Sequence, residues 1–262
     1  MKTATIIPVH SPKFKDLETF IKSMQLLEVK HDLYVVFSSE LEAFSFKRKG
    51  LEYKELVLPE SEHGKLSVVN IKKNWALSQI YSQYDYIGVF DAETEIVKEC
   101  NLDDVYYWIG NRNWVNGNWA NLGGDIIKTI AKLLDIDTND NIIRETKNYN
   151  LYWWFQDIPV YDCSKLERYF KWLNERANKN LIDNEYLCFD FLMYSMWNIA
   201  YEGWHIKEFP FHLDIGAVEQ FRLDESQRLE ILREMKPYWS VDRGNHHQFQ
   251  NIKMIFHTDR AV

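Results

Sequence analysis

Four short runs rich in β-branched and aromatic residues, "TATIIPVH", "HDLYVVFSS", "LEYKELVLPE" and "YIGVF", occur between residues 3 and 90. Helical sequence follows the first ("SPKFKDLETFIKSMQLL") and precedes the last ("HGKLSVVNIKKNWALSQIYSQYD", apolar at Ile71, Trp75, Leu77 and Ile80). Antiparallel strands close with a tight turn, whereas parallel strands need a crossover. Strands alternating with helices therefore predict an α/β fold with a mostly parallel central sheet and helices on both faces. In the first helix, Ser11 is expected as N-cap and Pro12 at the first helical position. In the 262-residue chain this half spans residues 1–100 of a single domain, and residues 101–262 form a second half of different character.

In such sheets ligands bind beyond the C-terminal ends of the strands. Pro8, Val9 and His10 occupy one such end, Ser38 and Ser39 another, and Asp91, Ala92 and Glu93 a third. The last is the most informative, because an apolar strand closes on two acids one residue apart. Strand side chains alternate, so Asp91 and Glu93 share a side. Neighbouring carboxylates repel unless a proton or cation lies between them, and hard divalent ions such as Mn²⁺ or Mg²⁺ take oxygen ligands while sharing substrate phosphates.

The second half holds "WIGNRNWVNGNWANLGGD", which reads as a long loop or irregular strand pair, and the amphipathic helix "GDIIKTIAKLLDI". "SKLERYFKWLNERANK" opens with a capping box, Ser164 and Glu167. Further helices are expected at 184–200, with Asp183 as N-cap, and over "DESQRLEILREM"; "NIKMIFHTDRAV" is a strand ending at His257. Ten tryptophans fit an aromatic core or a sugar-binding cleft. Trp114, Trp119, Trp153, Trp154 and, beside them, Asp157 are the residues available for the latter. Three unpaired-looking cysteines and the lack of a signal segment suit a cytoplasmic protein, at most peripherally attached to the membrane. A net charge of −8 argues against nucleic acid as a partner.

"YDYIGVFDAETEIV" resembles the D-x-D segment of GT-A-fold glycosyltransferases. "KKNWAL" is similar to the Arg-Asn-x-Gly/Ala-Leu element preceding it, and "IIPVH" to their opening strand. The likeness covers residues 3–98 well and the remainder loosely. Glu93 stands in place of the usual second Asp, and Lys73 in place of Arg. The resemblance implies a GT-A-like, Rossmann-like sheet with an irregular, aromatic-rich acceptor half. It also implies transfer of a sugar from a nucleotide-sugar, UDP-sugar favoured, to a glycan or glycolipid in surface polysaccharide synthesis. Pro8, Val9, His10, Ser38, Lys65, Lys73, Asp91 and Ala92 would then contact the donor, and Asp91, Glu93 and His257 the Mn²⁺ or Mg²⁺. Asp190, with Glu185 as the other candidate, would deprotonate the acceptor; an acid amid Phe189, Phe191 and Leu192 is otherwise hard to explain. Asp190 argues for inversion and His257 for the metal site of retaining relatives, and the two are not reconciled by sequence. His246 and His247 suggest a lid.

Other readings are weaker. A nucleotidyltransferase would carry a glycine-rich phosphate loop after the first strand, and "PVHSPKFKD" has no glycine. A GT-A-like carbohydrate- or nucleotide-binding module without turnover stays open, given Glu93.

Overall fold

A computed structural model describes residues 1–26, 31–47, 50–62, 68–92, 94–96, 101–119, 123–151, 153–155, 159–176, 190–207 and 255–257. Strands β1 (Thr3–Pro8), β2 (Asp32–Phe37), β3 (Lys54–Val57) and β4 (Tyr86–Val89) run parallel. β8 (Val160–Asp162) adds an antiparallel edge strand, in the order β3-β2-β1-β4-β8. β1 thus lies between β2 (Ala4 opposite Asp32) and β4 (Thr3 opposite Tyr86).

Alternation along these strands sends their residues into two separate cores. Ala4, Ile6, Tyr34, Val36, Ile87 and Val89 face α3 (Val68–Ile80), α5 (Gly123–Leu133), α7 (Cys163–Arg176) and α8 (Asp190–Tyr201). Ile7, Leu33, Val35 and Phe37 face α1 (Phe14–Leu26), α2 (Glu40–Phe46) and α4 (Leu102–Gly110). The α1 stripe Leu17, Phe20, Ile21 and Met24 is buried at helical spacing. The glycine in "YIGVF" follows from α4: a Cβ on Gly88 would sit 2.3 Å from the Tyr106 ring, whose hydroxyl meets Thr5 Oγ1 at 2.6 Å. The expected mostly parallel sheet with both faces covered is what the chain forms.

The aromatic half is more regular than expected. "WIGNRNWVNGNW" splits into the end of α4 and strand β6 (Trp114–Trp119). β6 pairs antiparallel with β7 (Trp153–Phe155) and parallel with β9 (His205–Lys207). Much aromatic area is core: Tyr161, Tyr169, Tyr194, Trp197 and Trp204 are buried. α6 (Asp140–Thr146) was not expected, nor were α2 and α4; Ser39, Asn101 and Asn139 cap the three.

Two capping expectations are corrected. Residues Ser11–Lys13 form a 3-10 turn ahead of α1, and Ser11 is drawn off to give its N–H to Glu42 Oε1 at 2.9 Å. At α7 the cap is Asp162, whose Oδ1 accepts from the Ser164 N–H (3.0 Å) and hydroxyl (2.6 Å), so that hydroxyl serves as a donor. Finally, β5 (Thr94–Ile96) pairs antiparallel with β10 (Ile255–His257), the strand expected to end at His257. Asp183, the helix over 224–235 and His246–His247 lie outside the described residues. Among those described, no helix is long and apolar enough to cross a membrane.

Candidate active site

Because β1, β2 and β4 are parallel, their C-terminal ends reach one edge, joined past the strands by Val9 N–H to Val36 O (3.1 Å) and Phe90 N–H to Ile6 O (2.9 Å). That edge gathers Pro8, Val9, His10, Ser38, Asp91 and Ala92, as the alternating pattern implies. Val9 and Ala92 are buried, His10 exposed, and Ser38 and Asp91 half-buried.

A carboxylate and an ammonium fasten this edge. Ser39 caps α2 by accepting from the Glu42 N–H at 3.2 Å, which brings the Glu42 side chain back over the loop. Its Oε2 accepts from the Ser38 N–H at 2.6 Å and its Oε1 from Ser11. From α3, Lys72 donates to the Val9 carbonyl and stands 3.4 Å from Glu42 Oε2. Three segments therefore share one polar knot. Burial lowers the Lys72 pKa, with Glu42 opposing; burial and then the Lys72 charge lower that of His10.

The next residue of α3 points to the acids. Lys73 Nζ lies 3.1 Å from Asp91 Oδ1 and 3.5 Å from Asp190 Oδ1. Desolvation works against its charge, yet the Asp190 and Asp91 carboxylates outweigh it and raise its pKa, which favours the ammonium. Asp190, at the first turn of α8, has its other oxygen occupied by the Tyr161 hydroxyl at 2.7 Å. Burial, reinforced by Asp190, pushes the Tyr161 phenol well up, so it remains a donor. The acids differ in access: the Asp91 side chain is 43% exposed and that of Asp190 3%. An incoming ligand meets Asp91 first.

Lys65, Glu93 and Glu185 lie outside the described residues. So does Asp157. His257 is placed by its backbone: the β5–β10 register sets it opposite Thr94, one residue past Glu93. Among the described residues no group of three His, Cys, Asp or Glu side chains gathers as a metal site. Asp91 itself fits a hard cation, being an accessible carboxylate at the strand ends. Of the tryptophans, Trp114 has the Arg112 guanidinium 4.0 Å and the Lys207 ammonium 4.9 Å from its ring centre.

A cleft of about 870 Å³ opens at the opposite edge of the sheet, lined by Met1, Thr3, Met24, His31, Asp32 and Asp103. It is remote from these acids and carries none of the strand-end chemistry.

Glu42, Lys72 and Tyr161 were not singled out by sequence. A signal existed for two of them. Lys72 precedes Ala76, and Lys73 precedes Leu77, by four residues, which puts both lysines on buried stripes of α3. Ser39-x-x-Glu42 is a capping-box pattern, although Glu42 bonds beyond the cap.

No protein-family model matches the chain, and no curated protein matches it. Solved structures overlap it at low similarity. They include core-mannan synthase A of Aspergillus fumigatus in its Mn/GDP form, at 12% identity over 80% of this chain and 73% of that one, TM-score 0.41. The galactosyltransferase LgtC, bound to donor and acceptor sugar analogues, overlaps at 11% identity over 98% and 87%, TM-score 0.48. Mouse xyloside xylosyltransferase 1 overlaps at 8% identity over 99% and 98%, TM-score 0.45.

Proposed function

We propose that this protein is a GT-A-like glycosyltransferase that binds a nucleotide-sugar, UDP-sugar favoured, along the edge formed by Pro8–His10, Ser38 and Asp91. A glycan or glycolipid is the acceptor. The observation that carries the reading is the buried Lys73 ammonium bridging Asp91 and Asp190 at the C-terminal ends of parallel strands. A diphosphate leaving group builds negative charge as it departs, and a fixed cation aimed at that charge lowers the barrier. Lys73 meets it as a point charge, where an Arg would clamp bidentately.

Asp91, with Glu93 and His257, would hold the Mn²⁺ or Mg²⁺. The metal would supply Lewis-acid neutralisation of the diphosphate. The β5–β10 register supports that grouping, because it brings residue 257 beside the acid segment. Asp190 is the candidate base, with Glu185 as the other acid of that region. Tyr161 fixes the Asp190 carboxylate, and Lys73 must release it before it can take a proton from an acceptor hydroxyl. The tryptophan-rich β6–β7–β9 sheet is the proposed acceptor side.

Thermal shift with UDP, GDP, CDP, CMP and dTDP, each with and without Mn²⁺, tests this. Stabilisation by one diphosphate only when Mn²⁺ is present is expected, by mass action on the folded state. Stabilisation by none would overturn it. A binding module without turnover is the second reading, favoured by one observation: both Asp190 oxygens are already engaged. Metal-dependent hydrolysis of the sugar-nucleotide separates the two.

A further inference from the structure

Lys73 does more than wait for a phosphate. Its ammonium lies against Asp91, the same carboxylate an incoming metal ion would need. Asp190 keeps it there: that acid is buried, tied down by Tyr161 from β8, and 3.5 Å from the ammonium on its inner side. Asp91 is the accessible end of this acid–ammonium–acid row. A divalent cation arriving alone would have to share the Asp91 carboxylate with the Lys73 ammonium, setting two positive charges side by side on one ligand. Like charges at such separations disfavour one another strongly where water is scarce.

We propose that Lys73 is a tethered cation that excludes metal from Asp91 until a nucleoside diphosphate arrives. The diphosphate brings enough negative charge for both cations. Lys73 then turns from Asp91 to the phosphates, and Asp91 becomes a metal ligand. Metal and nucleotide thus bind as mutually dependent partners, each raising the affinity for the other by the same factor. The side chain that neutralises the empty site is the one that recognises the donor's diphosphate, so neither a free metal ion nor a metal-free nucleotide fills it well. This inference rests on Asp91 being a metal ligand.

The test is Mn²⁺ binding to the intact chain, followed by the electron paramagnetic resonance signal of free Mn²⁺, with UDP and GDP as probes. The wild-type chain is expected to bind Mn²⁺ alone at least about tenfold more weakly than with the nucleotide it accepts. Lys73→Met is expected to bind Mn²⁺ alone at least about tenfold more tightly than wild type, and to lose most of the nucleotide dependence. Should Lys73→Met fail to fold because Asp190 is left buried and unpaired, the double variant Lys73→Met/Asp190→Asn decides. It removes both charges of the inner pair and leaves an acceptor for Tyr161. Variants that bind Mn²⁺ alone no more tightly than wild type, while every protein still binds Mn²⁺ with nucleotide, would overturn the exclusion and leave the proposed function standing. Absence of Mn²⁺ binding in every protein, with and without either nucleotide, would overturn both.

Discussion

His31 shows what one residue can cost when its environment disagrees with its chemistry. Its ring is buried against Tyr106, Nδ1 lies 3.5 Å from Asp103 Oδ1, and Nε2 is buried away from water. Burial lowers its pKa below the ordinary 6.5, with Asp103 pulling the other way. The unfolded chain therefore takes up a proton near pH 6.5 that the folded chain resists. Stability is full above that pH and is lost as pH falls through it toward the lower folded value. The melting temperature of the wild-type chain should drop below pH 6.5, and His31→Gln should flatten that part of the profile. A profile of equal slope in the two proteins would clear His31 of the effect. Gly88 is the complementary case. Sequence reports only a glycine in a strand, and Tyr106, eighteen residues on, supplies the reason.

At the scale of elements, periodicity did most of the work. The first four strands and the helices α1, α3 and α5 were legible because their apolar spacing matches what they bury. α2, α4 and α6 were not. Their seven to nine residues hold too few turns for a period to show, and their marks are single caps, Ser39, Asn101 and Asn139. The proposed site residues divide the same way. Asp91 could be read because a strand end exposes it, and Asp190 because its neighbours are apolar. Glu42 and Tyr161 act through partners 30 or so residues away in sequence, which no local pattern encodes. The Glu42–Lys72 knot yields a prediction for the elements it joins. Glu42→Gln retains the shape but removes the charge facing Lys72, and with a single acceptor oxygen it leaves either the Ser11 or the Ser38 N–H facing a donor. Losing one partner of a buried charge pair costs about 3–5 kcal/mol where it is fully desolvated, and less here, where Glu42 keeps some water. The expected result is a lower melting temperature together with weaker nucleotide binding, measured by calorimetry. Unchanged nucleotide affinity would make the knot purely structural.

The whole molecule is held together by pairings of very unequal reach. β1 finds β2 within thirty residues and β4 after about eighty, whereas β5 finds β10 only near residue 255. Among the described residues, the members of the two cores all lie at or before residue 206. A chain ending at residue 254 is therefore expected to melt cooperatively but to lose metal-dependent stabilisation by nucleotide, because the segment carrying His257 is gone. Retention of that stabilisation in differential scanning fluorimetry would remove β10 from the site.

The same pairing imposes a delay on every new copy of the protein. Some 160 residues separate β5 from its partner. At roughly 5–20 residues per second, a ribosome needs roughly 8–32 s to supply them. During that interval the central strands can already pair, while β5 waits with that edge open. A nascent chain would then be folded at its centre well before it is competent, and any helper that shields an open strand edge would have its opportunity there.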